Sequence, residues 1–67
     1  MTIHVNDQPR KVTSDATLEG LLHELGFVGR KGIAVAINDE VVPRSKWTSR
    51  VLVATDRVLV IQATQGG

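Results

Sequence analysis

Leu18, Leu21, Leu22 and Leu25 recur at spacings of three and four residues, which puts them on one face of a helix. Elsewhere the apolar residues alternate with polar ones or come in short runs, the pattern of strands. A single helix must therefore cover a sheet, and a doubly wound sheet with helices on both faces is excluded. The spacing predicts the helix over residues 17–25, with Glu19, His23 and Glu24 away from the leucine face. Ser14, Asp15 and Thr17 are all suitable caps for its start. Gly26 suits the left-handed position after the last leucine, with Phe27 folding back on the final turn.

Ile3 and Val5 alternate with polar neighbours and predict a strand over 2–6. Asn6-Asp7-Gln8-Pro9 reads as a turn, and a second strand over 10–13 completes a hairpin. Gly29-Arg30-Lys31-Gly32 is a loop. It leads into a strand over 33–38, in which Ile33, Val35 and Ile37 face one way and Ala34 and Ala36 the other. Asn38-Asp39 turns the chain into a short strand over 40–42, which Pro43 stops. Residues 45–49 read as irregular, with Trp47 packing the edge of the core. A short apolar segment, Val51-Leu52-Val53, precedes Asp56 and a last strand over 57–63. The expected fold is α+β, a β-grasp: a mixed sheet of four to five strands with one main helix on one face. Its first and last strands pair in parallel at the centre. Residues 1–67 read as a single domain, with 64–67 a flexible tail ending in Gly-Gly.

With 67 residues, such a domain buries only about 60% of its unfolded surface. Its core can hardly spare a ligand pocket of about 300 Å³, so the chain is not expected to be an enzyme. The absence of cysteine excludes disulfides, thiolate metal sites and a cysteine nucleophile. A net charge of +1 does not suggest a nucleic-acid partner. The Gly29-Arg30-Lys31-Gly32 match to the GXXG loop of KH domains leads into a strand, not a helix. It is not a P-loop either, because no Gly-Lys-Ser/Thr follows at the right spacing. His4 and His23 lack ligand-spaced partners, so no metal is expected. No apolar stretch approaches the roughly 18 residues of a membrane span. The N-terminus has neither the basic start nor the apolar run of a signal peptide. The cytoplasm is the expected compartment.

The α-carboxylate of Gly67 is unhindered, and neither Gly66 nor Gly67 carries a Cβ, so Thr64, Gln65, Gly66 and Gly67 could thread a narrow channel in a partner. The carboxylate could there attack the α-phosphate of ATP, form an acyl-adenylate and pass its acyl group to a sulfur or nitrogen nucleophile. Alternation in the last strand supplies a handle for such a partner. If Val58 and Val60 join Ile3, Val5, Val35 and Ile37 in the core, then Leu59 and Ile61 face outward with His4, Ala34 and Ala36. An apolar patch beside a tail marks a docking face, although scattered exposed apolar residues are ordinary.

The chain resembles, over essentially its whole length, the ThiS family of sulfur carriers in thiamine biosynthesis. The shared features are Asn6-Asp7, the Thr17…Leu21-Leu22…Leu25 helix, Val35-Ala36-Ile37-Asn38, Val42-Pro43-Arg44-Ser45-Lys46-Trp47, Asp56 and Gly66-Gly67. The Val-Pro-Arg-x-x-Trp stretch is the specific element. Molybdopterin-synthase small subunits, Urm1-type modifiers and ubiquitin share the Gly pair. The resemblance implies that a ThiF-like adenylyltransferase activates Gly67 with ATP and magnesium, the carrier itself holding no cofactor. Sulfur from a cysteine desulfurase-linked donor would then make a thiocarboxylate, and a ThiG-like thiazole synthase would accept that sulfur. A carrier for molybdopterin or another sulfur pathway, or a ubiquitin-like binding or conjugation module, is the alternative. The chain departs from the family at Ala54-Thr55-Asp56, where an Asp-Gly-Asp-like turn is usual. It also departs at Ile61, often aromatic, and at Thr64, often apolar.

Overall fold

The structure, a computed structural model, describes residues 1–63; the tail expected at 64–67 lies outside the described residues. Two tight turns organise the sheet. Asn6 and Asp7 have φ of 49° and 67°, and Asn38 and Asp39 have φ of 52° and 70°. Asn and Asp tolerate this left-handed region better than other non-glycine residues. Two such residues in succession match the twist of a hairpin. The first pair joins β1 (Thr2–Val5) to β2 (Gln8–Lys11), and the second joins β3 (Ile33–Ile37) to β4 (Glu40–Val41).

The first turn thus takes two residues, where the sequence suggested four, and Pro9 lies inside β2. The register explains why it is tolerated. Met1 and Val12 exchange backbone hydrogen bonds of 2.9 Å in both directions. Bonded pairs alternate along an antiparallel ladder, and His4 faces Pro9 in a non-bonded pair. The proline nitrogen therefore points out of the sheet, on an edge strand, where no donor is needed.

The strand order is β2-β1-β5-β3-β4, with β5 spanning Arg57–Gln62. β1 and β5 run parallel at the centre and the other pairs are antiparallel. This is the expected β-grasp. Helix α1 (Leu18–Glu24) crosses one face. Of the three possible caps, Thr17 serves: its hydroxyl accepts from the Gly20 N–H at 3.1 Å. At the other end Gly26 takes φ 81°. Its N–H donates to the His23 carbonyl at 3.1 Å, and that of Phe27 donates to Leu22 at 2.9 Å. These two bonds are the Schellman closure the sequence implied. Among the described residues, no helix is long and apolar enough to cross a membrane.

The core unites Ile3, Val5, Val35, Ile37, Val58 and Val60 of the sheet with Leu18, Leu21 and Leu22 of α1. Trp47 and Leu52 complete it. Trp47 follows a 3₁₀ turn at Arg44–Lys46, which overlaps the residues 45–49 expected to be irregular, and donates its Nε1–H to the Val42 carbonyl at 2.9 Å. Leu52 enters because the chain around it pairs with the start of α1. The Leu18 N–H reaches the Arg50 carbonyl at 2.9 Å, and the Leu52 N–H reaches Ala16 at 2.8 Å.

Asp56, only 2% exposed, ties three segments together. Its carboxylate accepts from Asn38 Nδ2 and from the Val53 N–H, each at 2.9 Å, and Arg50 Nη2 lies 3.5 Å away. Its carbonyl accepts from the His4 N–H at 2.9 Å. A buried charge is tolerable only when donors surround it in this way. The turn leading to it places Thr55 at φ 70°, a strained setting for a β-branched residue. Replacing Asp56 by Ala strands several donors and is expected to lower stability by about 3 kcal/mol in urea unfolding. Thr55→Gly is expected to raise it by about 1 kcal/mol, a gain of several degrees in melting temperature that Thr55→Ala, which keeps a Cβ, should largely lack.

Candidate functional site

β5 shows opposite characters on its two faces. Val58 and Val60 are buried against α1, while Leu59 is 48% and Ile61 52% exposed on the far side. Register sets Ala36 beside Leu59 and Ala34 beside Ile61. Methyl side chains on β3 leave the two larger aliphatics standing above their surroundings. The predicted inward and outward sets are both as the alternation implied.

A surface groove of about 490 Å³ runs along this outer face. His4, Ala36, Leu59 and Ile61 line it, with Asn6, Asp7, Asp39, Val41, Arg57 and Val58. Ala34 shares the face but does not line the groove. Val41, 76% exposed, is the contributor the sequence reading missed. Its position opposite Ala36 on β4 puts it on the same face, and the alternation of side chains along the short strand expected over 40–42 was the available signal. Arg57 and Asp39 pair across the rim at 3.3 Å, both well exposed, so the pair adds little stability. A second groove, about 720 Å³, lies between the start of α1 and the end of β2, near Met1, Lys11 and Thr17. Both are open to the surface. Among the described residues, no cluster of three or more His, Asp or Glu could hold a metal.

The point from which residues 64–67 continue is held by short contacts. The Asn6 side-chain carbonyl accepts from the Val60 N–H at 2.8 Å, which supports β5 beyond the end of β1. The sequence places Asn6 at the end of the first strand and in the turn that follows, and does not disclose this bond. Farther on, the Ala63 N–H donates to the Gly32 carbonyl at 2.8 Å. Gly32 has φ 74°, and a Cβ there would lie 3.3 Å from Ala63 atoms, so both conformation and space call for glycine. The loop carrying Gly32 is itself anchored. Arg44 donates to the Arg30 carbonyl at 3.0 Å, with its guanidinium 5.0 Å above the Trp47 ring. Arg30 donates in turn to the Gly26 carbonyl at 2.9 Å. The Val-Pro-Arg-x-x-Trp stretch is thus the brace of the loop beside Ala63. Thr64, Gln65, Gly66 and Gly67, read from the sequence as the threading and reacting residues, lie outside the described residues.

The family model for ThiS proteins matches residues 3–67. The sulfur carrier protein ThiS of Escherichia coli is 34% identical over 67 residues, which is the full length of both chains. A thiazole synthase of Magnetococcus marinus is 40% identical over 67 residues, all of this chain but one fifth (20%) of that protein. Among solved structures, the crystal structure of the thiamine biosynthesis protein ThiS from Geobacter metallireducens superposes with a TM-score of 0.83 at 25% identity, covering both chains fully. Its solution structure gives 0.80 at the same identity, covering 100% of this chain and 88% of that one. An end-to-end match in sequence and in sheet topology leaves one assignment: the chain belongs to the ThiS family, the small sulfur carriers of thiamine biosynthesis, which are not themselves catalysts.

Proposed function

We propose that this carrier holds sulfur as a thiocarboxylate at Gly67 and delivers it for construction of the thiazole ring. The observation that carries this reading is the full-length match to a sulfur carrier protein, within a family match that runs through Gly67. A carboxylate oxygen of Gly67 bonds to the α-phosphorus of ATP and pyrophosphate leaves. A persulfide on the sulfur donor then attacks the acyl carbon and AMP departs with that oxygen; a thiol next attacks the donor-side sulfur of the acyl disulfide, releasing the thiocarboxylate and leaving a disulfide on the donor. A ThiF-like adenylyltransferase supplies ATP, magnesium and the catalytic groups, and a cysteine desulfurase-linked donor supplies the sulfur. The carrier contributes the acyl group and a surface to hold it by.

A ThiG-like thiazole synthase is the acceptor. Support comes from the Magnetococcus marinus thiazole synthase, which includes a stretch 40% identical to this chain. The groove walled by Leu59 and Ile61 is the docking face. Those side chains emerge from the strand that leads to the tail, so a partner gripping the face has the tail within reach. The carrier works in the cytoplasm, where ATP-driven activation takes place.

Incubation with adenylyltransferase, ATP, the sulfur donor and a thiol is expected to raise the intact mass by about 16 Da, the exchange of oxygen for sulfur at an activated acyl group. An isopeptide adduct instead would identify a protein modifier. Removal of Gly67 should abolish the mass gain and leave the melting temperature unchanged. Ile61→Asp should weaken partner binding at least tenfold in calorimetry, with an unaltered circular dichroism spectrum, because Ile61 points away from the core.

A further inference from the structure

The positive charge of this chain is distributed unevenly. Residues 25–38 contain Arg30 and Lys31 and no acid, and residues 41–55 contain Arg44, Lys46 and Arg50 and no acid. The structure brings these two segments together at one place, through the bond from Arg44 to the Arg30 carbonyl. Three cations are matched by acids: Arg10 with Glu24, Arg50 of the second segment with Asp56, and Arg57 with Asp39. Arg30, Lys31 and Arg44 are exposed, and none makes an ion pair among the described residues.

Their location gives the cluster a use. Arg30 and Lys31 immediately precede Gly32, which is bonded to Ala63. The four residues that follow Ala63 can span at most about 14 Å. Any protein that draws the Gly67 carboxylate into its own site must bring the rim of that site close to Ala63, and so against Arg30 and Lys31. Anchoring of Arg30 on Gly26, and of Arg44 on Arg30 and Trp47, holds two of the charges in place before contact. Less side-chain freedom is then lost on binding.

We propose that Arg30, Lys31 and Arg44 form a basic collar around the root of the tail that docks on a carboxylate-rich lip of the adenylating protein. This rests on the reading that Gly67 is delivered into that protein. The collar is separate from the apolar groove: the groove supplies buried area, and the collar steers approach and sets orientation at a range of about 10 Å in ordinary salt.

The double variant Arg30→Glu with Lys31→Glu tests this in the full-length carrier. The rate of the mass gain of about 16 Da is followed against carrier concentration at low and at high salt, with the cognate adenylyltransferase. The expected result is a KM for the carrier raised about tenfold at low salt, kcat within twofold, and a gap that closes as salt rises. Lys31→Glu alone, at a side chain with no hydrogen bond among the described residues, should give a smaller shift in the same direction at an unchanged melting temperature. That control separates lost docking from a disturbed loop. An unchanged carrier KM in both variants overturns the collar while leaving sulfur loading intact. A change in the KM for ATP instead of the carrier assigns these cations to the nucleotide phosphates, and also overturns it. If the unmodified carrier gains no mass, delivery of Gly67 itself is overturned, and the collar with it.

Discussion

The parallel pairing of β1 with β5 is the contact on which everything else in this molecule depends. It joins the two ends of the sequence, with His4 facing Arg57 and Val5 facing Val58. A parallel pair cannot be closed by a short turn and needs a crossover between its strands. Here the chain between them supplies α1, which covers the sheet, and the β3–β4 hairpin, which flanks β5 on its other side. Pairing on both sides makes the last strand the central one.

Two local devices make that pairing possible without a large core. Asp56 accepts from the β3–β4 turn through Asn38 and from its own turn through Val53, and its carbonyl accepts from β1 through His4. Asn6 does the reciprocal work at the other end of the pair, accepting from Val60 where β1 has stopped. Each is a short polar side chain bridging strands that side-chain packing alone would leave loosely joined. In a chain of 67 residues, where the apolar core is a single layer, such bridges set the register. The strained Thr55 follows from the same requirement: Asp56 must turn inward whatever residue precedes it.

Period was the legible part of the sequence. The leucine spacing revealed α1, and alternation revealed β1, β3 and β5, their buried and exposed faces, and hence the outer patch of Leu59 and Ile61. What stayed hidden depends on contacts between residues far apart in the chain. Asn38, one partner of Asp56, is 18 positions away and the partner of Asn6 is 54 positions away, and no local pattern marks either. Pro9 misled for a different reason. Proline after Asn-Asp-Gln resembles the close of a long turn, but only the bonded register of the hairpin shows that its nitrogen faces outward. Arg44 was visible as part of a motif, yet its bond to the Arg30 carbonyl joins two loops that only the folded sheet brings together.

The edges of the sheet bear on how the outer face is used. An open edge offers unpaired donors and acceptors to any other strand. β2 presents Pro9 on its free side, which removes a donor, and β4 is only two residues long. Neither edge favours strand addition, so association is directed to the faces. One face is covered by α1, and the other carries Leu59 and Ile61 above the alanines of β3, with Arg57 and Asp39 at its rim. If the proposed handover from partner to partner holds, a carrier gains from this arrangement. Backbone ladders are bound all along their length and release slowly, whereas a small apolar patch with screened charges at its margin permits a short residence. The same strand holds the fold together through Val58 and Val60 and, on the proposed reading, leaves Leu59 and Ile61 to meet partners.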